Sequence, residues 1–188
     1  FDYNQDLDSH LRSKGLNSTA NSIKNILPPQ VDCIFIRQHE QLGLGHAILC
    51  AEKALCAEPF AVLLADDFIP LLGKGVTKLL CEAFLKNQKT QLYIERVDGK
   101  DITKYGVIQP GKKEGDVIGI VEKPSLSKAT SRWASVGRYV LKPNIFDALR
   151  NQSYRRDEEI QLADAINTLA LQNDVRSITS DHDRFDCG

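Results

Sequence analysis

Apolar residues come in short runs along this chain, and the runs alternate between two spacings. Residues 31–36 and 60–65 are apolar runs of strand length and read as buried strands. Residues 91–97 alternate and read as a strand. Residues 105–109 and 116–122 read as partner strands around the turn Pro110-Gly111-Lys112-Lys113, and residues 133–141 and 175–179 complete the set. Helical spacing lies between them. Residues 45–57 place Ala47, Ile48, Ala51 and Leu55 on one face, and residues 71–86 form a helix entered through Gly73 and Gly75. Lys142-Pro143-Asn144 starts a short helix. Asp157-Glu158-Glu159 opens another, with Ile160, Ala163, Ile166 and Leu169 as its stripe.

Ahead of all this, residues 1–27 are polar and charged. Leu7, Leu11, Ile23 and Ile26 are spaced for two helical pieces, broken near residues 15–18 and stopped by Pro28-Pro29. Strands alternating with helices predict an α/β fold: a Rossmann-like, doubly wound, mostly parallel sheet with a smaller antiparallel β-element.

Composition adds limits. The chain has 188 residues, 42% hydrophobic and 26% charged, ordinary for one globular domain with a sizeable core. A net charge of −1, with dispersed charges, argues against nucleic-acid or membrane-surface partners. The apolar runs are far shorter than a membrane span. Cys33, Cys50, Cys56, Cys81 and Cys187 contain no C-x-x-C pair. Cys33, Cys50 and Cys81 fall in apolar patterns and read as small core residues, so a reducing cytoplasm fits.

Several stretches carry chemistry. Residues 37–50 read Arg-Gln-His-Glu-Gln-Leu-Gly-Leu-Gly-His-Ala-Ile-Leu-Cys, between a predicted strand and a predicted helix. A strand, a glycine loop and a helix turn backbone N–H groups toward a ligand. Gln38 lies at the strand edge. Its amide sets a donor beside an acceptor, which suits the O4/N3–H edge of uracil or thymine. A tight turn with two glycines reads the same way. Asp66-Asp67 ends residues 60–65, as a Mg2+ site at a strand tip or as a turn pair. Gly106 allows close approach of a ligand or forms a bulge. Glu122 can accept sugar hydroxyls and Lys123 can meet a phosphate. Adjacent strand residues face opposite sides, so both serve one ligand only if the strand breaks, and Pro124 favours a break. A solvated ion pair is the alternative. Trp133 suits either stacking or packing.

Gln38 followed by Gly43-Leu44-Gly45-His46-Ala47 resembles the base-recognition loop of the sugar-1-phosphate nucleotidylyltransferases, in the form of the bacterial-type UTP–glucose-1-phosphate uridylyltransferases. Further matching stretches follow in the family's order: Leu64-Ala65-Asp66-Asp67, Tyr105-Gly106-Val107-Ile108, Val121-Glu122-Lys123-Pro124, Val136-Gly137-Arg138-Tyr139-Val140-Leu141 and Asp186-Cys187-Gly188. Residues 159–166 resemble a family helix. The resemblance covers essentially the whole chain.

The resemblance implies a nucleotide-diphospho-sugar transferase fold and a reaction of UTP with glucose 1-phosphate to give UDP-glucose and pyrophosphate. It implies Mg2+ on Asp66 and Asp186, the nucleotide against Gln38, Gly43, Gly45 and Asp66, and the sugar against Gly106, Glu122, Val136 and Gly137. Lys123 resembles the base that meets the sugar phosphate, and catalysis falls to Asp66, Lys123 and Asp186 without a protein nucleophile. His46 is expected to hold the loop.

The family's G-x-G-T-R loop and P-K-E-x-L-P segment do not occur between Phe1 and Gly188, nor do its C-terminal helices. The 188 residues are therefore expected to be one nucleotidyltransferase domain incomplete at both ends, inactive alone and homo-oligomeric at full length. Two rival readings share these residues: a thymidylyltransferase of the same family, and a non-catalytic relative that binds UDP-glucose and regulates a partner.

Overall fold

The computed structural model describes residues 3–70, 73–152 and 159–187. The chain divides into two units, residues 1–37 and 38–188.

The first unit carries α1 (Gln5–Ser13) and α2 (Asn17–Lys24), the expected two pieces, with Gly15 at φ +75° between them. Asn4 caps α1 by accepting from Leu7 N at 2.9 Å. Residues 31–36 correct the sequence reading. They form no strand, and Ile34 and Phe35 are 72% and 65% exposed. An apolar run becomes a strand only where a neighbour supplies ladder partners. No strand among the described residues pairs with this one.

The second unit is built on a six-stranded mixed sheet. Its strands are β1 (Phe60–Leu63), β3 (Thr90–Arg96), β4 (Gly106–Pro110), β5 (Val117–Glu122), β6 (Trp133–Leu141) and β7 (Val175–Ile178), in the order β5-β4-β6-β3-β7, with β1 on β6. A separate two-stranded antiparallel sheet joins β2 (Asp67–Phe68) to β8 (Phe185–Asp186). β3 and β7 pair in parallel, and the other described pairings are antiparallel.

Helices cover both faces of the large sheet. From α3 (Gly43–Ala51), α5 (Ile145–Arg150) and α6 (Leu162–Leu171), Ile48, Ile145, Leu149 and Ile166 pack with Leu92, Tyr139 and Leu141. From α4 (Val76–Asn87), Val76, Leu80 and Phe84 pack with Tyr93, Val136 and Val140. Leu92 and Tyr93 thus go to opposite faces, as do Tyr139 and Val140, the period-two signature of a strand covered on both sides. Leu80 is fully buried, worth about 1.5–3 kcal/mol. The β5 edge is blunted by Asn167 on α6. Its amide accepts from Ile120 N at 2.6 Å and donates to Ile120 O at 2.9 Å, standing in for a strand partner.

Three helix boundaries move. The helix expected over residues 71–86 begins at Val76, with residues 73–75 outside it and residues 71 and 72 outside the described residues. The helix after the glycine loop begins at Gly43 and loosens into a 3-10 turn at Glu52–Ala54. Cys56 and Ala57 then take positive φ. The late helix begins at Leu162, so Glu159 and Ile160 lie outside it, while Asp157 and Glu158 fall outside the described residues. Ile160 cannot be helical because its backbone serves the glycine loop, as shown below. The cysteines are free, but Cys33 and Cys81 are exposed and Cys50 half-buried, not core residues. A thiol inside an apolar pattern need not sit on its buried face.

Candidate active site

A cleft opens where the sheet forks. β6 pairs with β4 through Ala134 and Ser135, then with β1 from Arg138 onward. Val136 and Gly137 lie between the two partners. The Gly137 carbonyl accepts from Leu64 N at 2.9 Å. Its N–H has no strand to donate to, and the Asp67 carboxylate takes it at 2.6 Å. No side chain fits at residue 137: a Cβ there would strike Asp67 Oδ2 and come within 2.5 Å of Leu64 Cβ. Arg138 ties the turn down by donating to Leu64 O at 3.0 Å and Asp67 O at 2.7 Å.

The cleft is a cavity of about 340 Å³. Asp66, Gly106, Glu122, Lys123, Val136, Gly137 and Asp186 all line it, with Leu44, Lys104, Tyr105, Ser135, Tyr139 and Glu159 among their neighbours. Residues from five separate stretches of the chain therefore converge on one cavity.

Asp66 and Asp186 come together through the small sheet. Asp67 pairs with Asp186, and Cys187 N donates to Asp66 O at 2.8 Å. The two adjacent aspartates then diverge. Asp67 is buried and spends both carboxylate oxygens on protein, one on Gly137 N and one on Arg184 at 2.6 Å. The Asp66 carboxylate is exposed and has no protein partner among the described residues. A divalent oxygen-seeking ion needs few carboxylates beside water and phosphate, so an unpaired Asp66 near Asp186 in one cavity fits such an ion.

Gly106, Glu122 and Lys123 are set by backbone. Gly106 pairs with Glu122 on one edge and Ser135 on the other, and a Cβ on Gly106 would lie 3.0 Å from Glu122 Oε2. The missing side chain makes room for that carboxylate. Burial raises the Glu122 pKa above the ordinary carboxylate value; Lys123 opposes the shift and Asp164 adds to it. β5 ends at Glu122, and Lys123 turns into the left-handed region at φ +40°, held by its N–H to Tyr105 O at 3.1 Å. The strand break needed for both side chains to face one ligand is present, in a strained conformation. Burial pushes the Tyr139 hydroxyl up to about 12; the hydrogen bond donated by Ser135 opposes the shift, and Glu122, Asp67 and Asp66 add to it. Tyr139 stays a neutral phenol.

Gln38, Gly43 and Gly45 lie outside that cavity lining. Gln38 is not at a strand tip, since residues 31–36 form none. Its amide nitrogen donates to Gly43 O at 3.1 Å and lies 3.0 Å from His46 Nδ1. His46 thus holds the loop as expected. The glycines have a packing reason. Gly45 N donates to Ile160 O at 2.9 Å and Ile160 N to Leu42 O at 2.7 Å. A Cβ on Gly45 would come within 2.6 Å of Ile160 O, and one on Gly43 within 2.9 Å of Glu159 Cβ. The loop is clamped onto residues 159–160.

Arg184 was not singled out in the sequence. Its side chain is 6% exposed and reaches Asp67, Glu95 at 2.6 Å and the Tyr105 hydroxyl at 2.9 Å. Burial works against its charge, and the bonds to Glu95, Tyr105 and Asp67 outweigh it, so its pKa stands above the usual arginine value. An Arg two residues before a candidate site Asp is a weak sequence signal.

The nucleotidyl transferase family profile matches residues 5–185. The chain belongs to the nucleotidyl transferase family. Among curated family members, a UTP–glucose-1-phosphate uridylyltransferase of Staphylococcus saprophyticus is 37% identical over all of this chain and 65% of its own length. A UTP-bound UGPase from Acinetobacter baumannii superposes at TM-score 0.85 with 32% identity, over 100% of this chain and 66% of its own. A UDP-glucose pyrophosphorylase complexed with UDP-glucose gives 0.82 at 34% identity, over 93% and 67%. The chain spans about two thirds of the length of these relatives or slightly less. No helix among the described residues is long and apolar enough to cross a membrane.

Proposed function

We propose that this chain carries the nucleotide and sugar site of a UTP–glucose-1-phosphate uridylyltransferase, a Mg2+-dependent homo-oligomer working in the cytoplasm. The observation that carries this reading is the convergence of Asp66, Gly106, Glu122, Lys123, Val136, Gly137 and Asp186 on one cavity. Relatives with UTP and with UDP-glucose bound support it. In the reaction a phosphate oxygen of glucose 1-phosphate attacks the α-phosphorus of UTP. A new P–O bond forms and the bond to pyrophosphate breaks. Asp66 and Asp186 would hold Mg2+, which neutralises phosphate charge when bound. Glu122 accepts hydroxyls of the sugar, and Lys123, fixed in its turn, meets the sugar phosphate. No residue is asked to act as nucleophile; the chain contributes positioning and charge.

Gln38 assigns the base in this reading. Gln38→Ala is expected to weaken UTP binding by about 1–3 kcal/mol while leaving glucose 1-phosphate affinity nearly unchanged. Calorimetry with each ligand checks this, and an equal loss for both would mean loop collapse instead of base recognition. Thymine offers Gln38 the same edge as uracil, so competition between UTP and its thymidine analogue decides between the two nucleotidylyltransferases.

Glu122 gives a pH signature. Its raised pKa keeps it less ionised than an ordinary glutamate, and hydroxyl recognition uses the anion. Sugar-phosphate use should therefore rise with pH through a limb above the normal carboxylate range. Glu122→Gln should impair glucose 1-phosphate use more than UTP binding and flatten that limb. A pH profile of kcat/KM for both proteins reads the difference, and an unchanged limb in the variant would assign it to another group.

A further inference from the structure

We propose that Tyr105 is a positioning residue that holds Asp186 in place for the metal-bound nucleotide and ties it to the Lys123 turn. The inference rests on the reading of Asp186 as a metal ligand.

The direction of each hydrogen bond follows from chemistry. Arg184 Nη2 donates to the Tyr105 hydroxyl at 2.9 Å, and an arginine cannot accept in return. The single phenolic proton is then left for Asp186 Oδ2, 2.9 Å away. Arg184 itself cannot swing. Its Nε is held by Glu95 and its Nη1 by Asp67, and its guanidinium lies 5.0 Å from the Tyr105 ring centroid in cation–π contact. The ring is therefore fixed by stacking and the hydroxyl by a buried charge. At its other end, the Tyr105 carbonyl accepts the N–H of Lys123, which holds that residue in its left-handed turn.

One residue thus joins the carboxylate side of the cleft to its cationic side, and Tyr105 lines the cavity between them. Partners that orient a metal-binding carboxylate typically change metal affinity by 10–100-fold when removed. Asp186 Oδ2 also lies 3.6 Å from Arg184 Nη1, so the hydroxyl at 2.9 Å is the closer of these two holds on that oxygen.

Tyr105→Phe isolates the effect. It keeps the ring over Arg184 and the backbone bond to Lys123, and removes only the hydroxyl. The test is Mn2+ binding to the UDP-glucose complex of the protein in its full natural chain, read from the free-ion signal in electron paramagnetic resonance. The variant should bind Mn2+ about tenfold more weakly, with the KM for glucose 1-phosphate unchanged at saturating metal. Arg184→Lys keeps a charge but cannot serve three partners, and should weaken Mn2+ in the same sense. Asp186→Asn separates the two claims. If Asp186→Asn leaves Mn2+ affinity at the wild-type value, the metal-site reading fails and this inference with it. If Asp186→Asn loses Mn2+ while Tyr105→Phe binds it like wild type, only the positioning role is overturned. A Tyr105→Phe protein changed in glucose 1-phosphate KM alone would likewise overturn it.

Discussion

Replacing Asp66 by Asn is expected to lower turnover about 10²–10³-fold while leaving stability within about 0.5 kcal/mol. The substitution is nearly isosteric and removes one charge. That carboxylate is exposed and makes no bond to the protein among the described residues, so the fold loses nothing. The proposed reaction brings a sugar phosphate against a triphosphate, and the proposed metal would offset their repulsion. Losing a carboxylate that holds it should act on the rate alone. Steady-state kinetics beside a denaturant melt checks both halves. Wild-type turnover would remove Asp66 from the site, and a lowered unfolding midpoint would make it a structural residue.

One residue along, the opposite result is expected. Asp67→Ala should destabilise the protein by about 3–5 kcal/mol, the usual consequence of breaking one side of a buried ion pair. Asp67 is 9% exposed, and its loss strands two buried donors at once. Arg184 then retains Glu95, the Tyr105 hydroxyl and, at 3.6 Å, Asp186, and the Gly137 N–H at the fork of the sheet has no strand to turn to. Urea unfolding followed by circular dichroism measures the change. A loss below about 1 kcal/mol, the range of exposed pairs, would mean that the carboxylate does not hold the fork together. In the proposed reading Asp66 is left for the metal, while Asp67 is spent on the fork of the sheet.

The resemblance singled out Asp66 of this pair, but the structural work of Asp67 was not legible, because its partners Gly137 and Arg184 lie far along the chain. The alternation of β3 and β6 was legible, because covered strands must place apolar residues on both faces. The break at Lys123 was partly legible, since Pro124 favours it, although a solvated ion pair was the alternative there. Residues 31–36 misled because apolar character shows that a segment can be a strand, while ladder partners lie elsewhere in the chain. Gly43 and Gly45 carried a ligand signal, but Ile160, more than a hundred residues away, gives their packing reason. Arg184 and the side chain of Tyr105 were given no role because their contacts are with each other and with Asp67 and Asp186. No local pattern records a network that closes over 80 residues or more.

The central claim is that this cleft transfers a uridylyl group to a sugar phosphate. The most direct measurement is phosphorus NMR of the protein, in its full natural chain, with UTP, glucose 1-phosphate and Mg2+. The expected result is the growth of UDP-glucose and pyrophosphate resonances, one for one, at the expense of both substrates. UDP-glucose bound tightly with no pyrophosphate formed, or turnover only with the thymidine nucleotide, would contradict it.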